Sequence, residues 1–369
     1  MDFVNETKVE AGWTLGFEPD GRELLVIAIK ATYTIPEKGA EPLLADEQVP
    51  LTEADEFTGE PGLSAVKYET DYAHRKPMCD VLLNGSAYAP EGHPVSRVQV
   101  GLKVGTMVKS FSVIGNRFWE AGMVSIAPGF AGNFISMPIS YDNAFGGVDN
   151  FHPDESKHRT YVWNPVGTGY HENLSGDLVD GTPMPNTEEL NKAVTMPGLN
   201  YKPMAFSAMG RNFKSRYPYA GTYDQQWLDN QAPFWPDDFD YRYFQAAPPD
   251  QQIPYPVGGE EILLKNLTQD GFVGFRLPKK TMPVLFIPYK GKDQLVNAVI
   301  DTVLIEPDLQ RFSLTWRVSY PLRKNCFELK QVIAGEMPKA WYRARRMGDK
   351  TYYKGLDELI KANKQRQVG

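Results

Sequence analysis

Residues 217–252 read YPYAGTYDQQWLDNQAPFWPDDFDYRYFQAAPPDQQ and set the tightest limit on the fold. Ten aromatic residues, six Asp and five Pro fall in this stretch, with Arg242 as its only cation. Proline removes a backbone donor and fixes φ, so neither a long helix nor a central strand can run through it. Each ring nevertheless brings roughly 150–250 Å² of surface to bury. Three roles are compatible with that composition: a sugar-binding or hydrolytic cleft, a protein-docking surface, or an irregular cover on the chain's own core.

The flanks of this tract read as strands. RELLVIAIKATYTI (22–35) follows the turn-forming EPDG, and DVLLNGSAYAP (80–90), VSRVQVGLKVG (95–105) and MVKSFSVIGNRFWE (107–120) follow at hairpin-like spacing. Val98, Val100, Leu102 and Val104 alternate with polar or small residues, the period of a half-buried antiparallel strand. From 259 onward EEILLKNLT, GFVGFRLP, TMPVLFIPY, NAVIDTVLIEP and RFSLTWRVSYP resume the pattern. No amphipathic helices separate these strands, which argues against a βαβ arrangement. Within the irregular middle only NTEELNKAV (186–194) and DQQWLDNQ (224–231) read as short helices, and residues 326–369 read mostly as helix.

The expected fold is therefore mainly β. Two antiparallel strand-rich lobes, sandwich- or barrel-like, are joined by a long ordered Pro/Gly/aromatic region and followed by a short helical C-terminus. The divisions fall at 1–145, 146–256, 257–325 and 326–369.

Charge and cysteine usage narrow the function classes. The net charge of −7 conceals a basic tail, since residues 339–369 hold nine Lys/Arg against three Asp/Glu. The acidic remainder argues against a broad nucleic-acid groove. The tail is read as a solvated helix face, with contact to an acidic partner as the alternative. Cys79 and Cys326 are expected to be reduced thiols. The opening MDFVNETKVEAGWTLGF has no basic n-region or apolar h-region, and no apolar run approaches the ~18 residues of a membrane span. Cytoplasmic residence, with no membrane partner, is the expectation.

Catalytic signatures are weak. His152, His158 and His171 lie near Asp149 and Asp154, but not at metal-ligand spacing, so neither a metal nor another cofactor is expected. There is no G-x-S-x-G elbow, and GTG at 167–169 lacks the strand and third glycine of a dinucleotide site. The serious enzyme alternative is a carbohydrate-active protein using Asp237, Asp238 or Asp240 among stacking rings. Asp after Pro also favours turns and caps.

Several pieces, in order, carry a resemblance. MPISYDNAFGG (137–147), NPVGTGY (164–170), MPNTEEL (184–190), AGTYDQQWL…PFWPDDFDYRYFQAAPPDQQ, GGEEILLKNLT…FRLP (258–278) and IDTVLIEPDLQRFSLTWR (300–317) resemble a bacterial domain-of-unknown-function family encoded in type VI secretion gene clusters. The resemblance covers the chain to about residue 320 and brings no established active site. It implies a non-catalytic adaptor, or effector chaperone, that binds a toxic effector and helps load it onto the spike or tip protein. A structural component of the secretion apparatus is a further alternative. On this reading Trp227, Phe234, Trp235, Asp237, Asp238, Phe239, Tyr241 and Tyr243 are the candidate partner-binding residues.

Overall fold

The computed structural model describes residues 1–348 except 124, together with 352, 353, 355, 356, 359, 360 and 364. Its strands, in chain order, begin with β1 (Asp2–Asn5), β2 (Glu10–Phe17), β3 (Glu23–Thr34), β4 (Cys79–Leu83) and β5 (Gly85–Tyr88). They continue with β6 (Arg97–Val104), β7 (Met107–Ile114), β8 (Ser136–Ile139), β9 (Thr187–Glu189), β10 (Gln252–Ile253), β11 (Glu261–Lys265) and β12 (Phe272–Arg276). The last four are β13 (Met282–Pro288), β14 (Gln294–Glu306), β15 (Arg311–Pro321) and β16 (Leu329–Ala334). Shorter bridged pairs punctuate the middle of the chain.

The main sheet runs β1-β16-β13-β14-β15-β3-β2 and is nearly closed, like a barrel. The thirteen-residue β14 holds it together by changing partners. Its first half pairs antiparallel with β13, and its second half pairs parallel with β4, Thr302 facing Asp80. Between the halves the register against β15 slips at Asp301, a bulge of the kind that lets a strand bend and re-aim a side chain. A second sheet runs β9-β7-β6-β11-β12.

Alternation decides which face of each strand meets the other sheet. Leu25, Ile27 and Ile29 of β3 and Phe312, Leu314 and Trp316 of β15 share one core with Val98, Val100 and Leu102 of β6 and with Ile262 and Leu264 of β11. The four residues singled out on 98–104 are all buried in it. The strands before and after the irregular middle thus contribute to the same sheet, since β15 pairs with β3 along its whole length.

Two local expectations fail. Thr187–Glu189, within the segment read as helical, forms β9 and pairs with β7. Residues 329–334, assigned to the helical tail, form β16 between β13 and β1, and the helix Lys339–Arg346 follows them. LKQVIA supplies the apolar side chains of a central strand, and those contacts outweigh its helical propensity. Lys350, Lys354, Lys361 and Arg366 of the basic tail lie outside the described residues. No helix among the described residues is long and apolar enough to cross a membrane. Both cysteines are free thiols, Cys79 buried and Cys326 half-buried.

The outer face of the main sheet is polar and still buried. Lys30, Thr32, Ser313, Thr315 and Arg317 project from β3 and β15 beneath a cover of irregular chain. Asp71 from the cover accepts from Lys30 (2.9 Å) and Thr315 (3.0 Å), and Arg317 pairs with the bulged Asp301. Lys76 meets Asp80 at 2.8 Å and Glu69 at 3.5 Å, while Arg216 and Arg211 close on Glu69. Burial alone would push Lys76 down, but Asp80 and Glu69 lift it above its ordinary value, so the ammonium stays charged. Removing one member of such a pair strands the other in a medium that cannot solvate it. Asp301→Ala is therefore expected to lower stability by about 3–5 kcal/mol, read from urea unfolding midpoints. A loss under ~1 kcal/mol would show that water reaches Arg317.

Candidate functional site: where the aromatic tract meets a free sheet edge

The C-terminal end of the tract is tied down by buried hydrogen bonds. Asp80 on β4 accepts from Gln245 Nε2 (2.5 Å) and from the Ala246 (2.8 Å) and Ala247 (3.2 Å) amides, and Gln245 Oε1 accepts from the Met78 amide (2.7 Å). Farther on, fully buried Gln251 donates to the Val81 and Phe206 carbonyls and accepts from Lys109 of β7 at 2.6 Å. Burial pushes the Lys109 ammonium down to about 8, with Asp250 opposing that shift. These contacts link the tract to both sheets.

Ahead of those anchors in the chain the rings pack on one another. Trp235 stacks on Phe239 at 4.4 Å, and Phe244 lies edge-on to both. His74 fits between Trp235 and Phe244, at 5.6 and 5.1 Å. Room for His74 comes from β2: a Cβ on Gly16 would stand 2.5 Å from its imidazole, and one on Gly12 would strike the Tyr72 hydroxyl. Trp235 donates its indole N–H to the Phe17 carbonyl (3.0 Å), and the Tyr241 hydroxyl donates to Glu18, which also pairs with Arg75. Tyr243 lies under the guanidinium groups of Arg211 and Arg216.

The eight candidate residues thus divide. Phe239 is buried, and Trp235, Tyr241 and Tyr243 are half-buried and committed to the cover: the polar tips of Trp235 and Tyr241 already have partners, and the Tyr243 ring lies under Arg211 and Arg216. Trp227 is partly open, edge-on to Tyr223, and donates its indole N–H to the Phe234 carbonyl. Phe234 remains exposed at 36%. The carboxylates are engaged locally. Asp237 accepts from Gln231, Asp238 from the Thr222 amide and hydroxyl, and Asp240 from the Arg242 amide and guanidinium. The Thr222 bonds hold Asp238, and the Arg242 bonds hold Asp240, below the usual carboxylate range.

Sequence reasoning missed the surface beside Phe234. Strand β2 ends the main sheet. Its register with β3, and the Glu18 amide donating to the Arg22 carbonyl, place Gly12, Thr14 and Gly16 in hydrogen bonds to β3. The backbone of Trp13 and Leu15 points outward in this alternation. Their side chains, with Phe17, are also exposed, at 41%, 37% and 40%. Phe17 meets Phe234 edge-to-face at 5.4 Å, so the row Trp13, Leu15, Phe17 continues into the tract. The signal lies in WTLGF, where apolar residues recur at every second position.

No cluster of three or more His, Cys, Asp or Glu among the described residues is arranged to hold a metal ion. His171 stacks on Phe151 at 4.8 Å, and His158 bonds the His152 carbonyl.

The architecture is thus that of a β protein whose irregular cover borders an open sheet edge. The chain belongs to the bacterial family described as an uncharacterized protein conserved in bacteria (DUF2169), whose model matches residues 20–317. That match includes the whole tract; β2 precedes it. No curated protein matches the chain at a significant level, and no solved structure does.

Two measurements probe the cover. Gly16→Val should displace His74 and Trp235 and cost about 1–3 kcal/mol, with proteolysis then cutting first within 217–244. Burial holds the His74 ring below its ordinary 6.5, with Arg317 adding to the effect and Glu18 opposing it. As pH falls below 6.5 the unfolded chain takes up this proton first, so stability present above 6.5 declines until the folded-state ring protonates. His74→Gln should make that decline shallower. His171, also lowered by burial, supplies a remainder of the same sign. An unchanged slope of urea midpoint against pH would show that His74 is solvated.

Proposed function

We propose that the chain is a type VI secretion adaptor, which binds a toxic effector in the cytoplasm and delivers it to the spike. The supporting observation is the exposed row Trp13, Leu15 and Phe17 with Phe234 beside it, on a strand edge where the outer backbone groups of Trp13 and Leu15 have no partner among the described residues. Aromatic and apolar anchors of this kind carry most of the energy in protein interfaces. An open sheet edge supplies backbone hydrogen bonds to an incoming strand. A loading factor must also release its cargo, and a few anchors on one edge suit that better than a large obligate interface.

The sequence resemblance supplies the secretion context, and the tract carrying its fullest signature buttresses this edge through the Trp235–Phe17 and Phe234–Phe17 contacts. Asp237, Asp238 and Asp240, the acids of the carbohydrate-active alternative, each cap or brace a neighbouring turn.

Affinity purification of the tagged chain from its native host tests the reading. The native chain should retrieve an effector and a spike or tip protein. The triple variant W13A/F17A/F234A should retrieve at least about tenfold less effector, the loss expected when several interface anchors are truncated. Its melting temperature should stay within a few degrees, because each removed side chain lies at the surface, outside the buried core. A native chain that retrieves neither partner, or a triple variant that retrieves both at native levels, overturns the assignment. Turnover of an oligosaccharide lost in Asp238→Asn would replace it with a carbohydrate-active one.

A further inference from the structure

The second sheet also ends on an unpaired strand, and here the edge lines a groove. Among the described residues strand β12 pairs only with β11. The Asn266 amide donates to the Gly271 carbonyl, and continuing that alternation bonds Val273 and Phe275 to β11. The amides and carbonyls of Gly274 and Arg276 therefore point away from the sheet, with no partner among the described residues. Opposite them stands the loop 36–41, which follows β3, and the space between is a groove of about 740 Å³. Ile35, Val273 and Phe275 line it and pack on the shared core, while Phe272 is 61% exposed at one end.

A second observation independently marks this groove as incomplete. Thr268 lines it and is 94% buried by its relative exposure of 6%, yet its hydroxyl has no hydrogen-bond partner among the described residues. A buried hydroxyl without a partner is costly and asks for an explanation. Gly274, in the middle of the edge, has no side chain to hold another backbone away.

We propose that this groove binds an extended segment of a partner polypeptide, which adds to β12 as a further strand. The occupant follows from the chemistry on offer. Unpaired amides and carbonyls at every second residue match a peptide backbone rather than a compact small molecule. Five residues of β12 give room for a peptide of about five residues at ~3.3 Å each. The apolar lining selects apolar side chains at alternate positions. On the rim Glu37, Glu41 and Asp270 outnumber Lys38 and Arg276, and the Arg276 guanidinium is already spent on the Gly259 carbonyl. Lys or Arg at the ends of the peptide therefore complements the groove. An edge strand from a second copy would carry its own sheet against the 36–41 loop and have to displace it. The inference does not depend on the adaptor reading, which uses β2.

The test uses the full chain and a display library of linear heptapeptides, with the strongest binder then synthesised. Hydrogen exchange should slow at least tenfold at Gly274 and Arg276 when that peptide is bound. N-methylation of one alternate set of its amides should abolish binding, while the other set leaves affinity within about threefold, because only one edge of a strand faces β12. Ala40→Trp, which fills the groove from its exposed wall, should weaken binding at least tenfold at an unchanged melting temperature. Thr268→Val should weaken it severalfold and raise the melting temperature of the free chain. The proposal is overturned if no linear peptide is selected, or if protection falls outside 272–276. It is equally overturned if binding survives Ala40→Trp, or if sedimentation shows a dimer that itself protects 272–276.

Discussion

Asp80 sits within β4 with its carboxylate turned to the outer face of the main sheet. There it accepts from Lys76, from Gln245 and from the amides of Ala246 and Ala247. One buried charge thus fixes the parallel strand that β14 accepts in its second half and the end of the aromatic tract. Around it Asp55, Glu69, Asp71 and Asp301 are matched by Lys30, Lys76, Arg211, Arg216 and Arg317. Burying such a set is costly unless every member is paired: Lys30–Asp71 and Lys76–Asp80 join strand to cover, Arg317–Asp301 joins two strands, and Asp55 and Glu69 meet Arg211, Arg216 and Lys76 within the cover. The cover can therefore close in only one arrangement: shifting it by a residue would leave several charges without partners. This gives an irregular segment, with few ladder hydrogen bonds of its own, the definition that a regular sheet gains from backbone pairing.

That constraint shapes the functional surface. The charged layer and the ring cluster of Trp235, Phe239 and Phe244 hold the tract against β2, and the tract braces β2 through the Phe17 carbonyl and the Phe17 ring. The edge beyond is open over Trp13 and Leu15 and fixed at Phe17. A partner strand would meet a template whose twist and side-chain row are already set, which lowers the ordering cost of association. The groove at β12 is organised on the same principle by different means, its opposite wall being the loop that follows β3. Two open edges, each backed by the shared core, give one chain the means to hold two extended segments.

Much of the regular structure was legible. RELLVIAIKATYTI, the alternation on 98–104 and the late strand runs became β3, β6 and β11–β15, because β-branched and aromatic residues between turn signals leave little else to form. The DQQWLDNQ segment became the short helix Gln225–Asn230, capped by Asp224. Less legible were strands whose case rests on neighbours. β16 lies between β13 and β1, and its sequence alone suits a helix as well. β9 is three residues paired with β7, and TEEL is equally a helix start.

The sequence by itself determined that the chain is mainly β and that 217–252 forms no long regular element, because proline and periodicity are local properties, and it left open whether the rings there are buried or displayed. Only the tertiary structure decided which rings would be spent. Trp235, Phe239, Tyr241 and Tyr243 went into the cover and Phe234 to the surface. Trp13, Leu15 and Phe17 were left beside Phe234 on an edge that no further strand among the described residues closes. The reason is that exposure belongs to a pair of surfaces rather than to a residue. Whether a ring is hidden depends on Gly16 making room for His74 and on buried charges placing the tract, and both partners lie more than a hundred residues away in the chain.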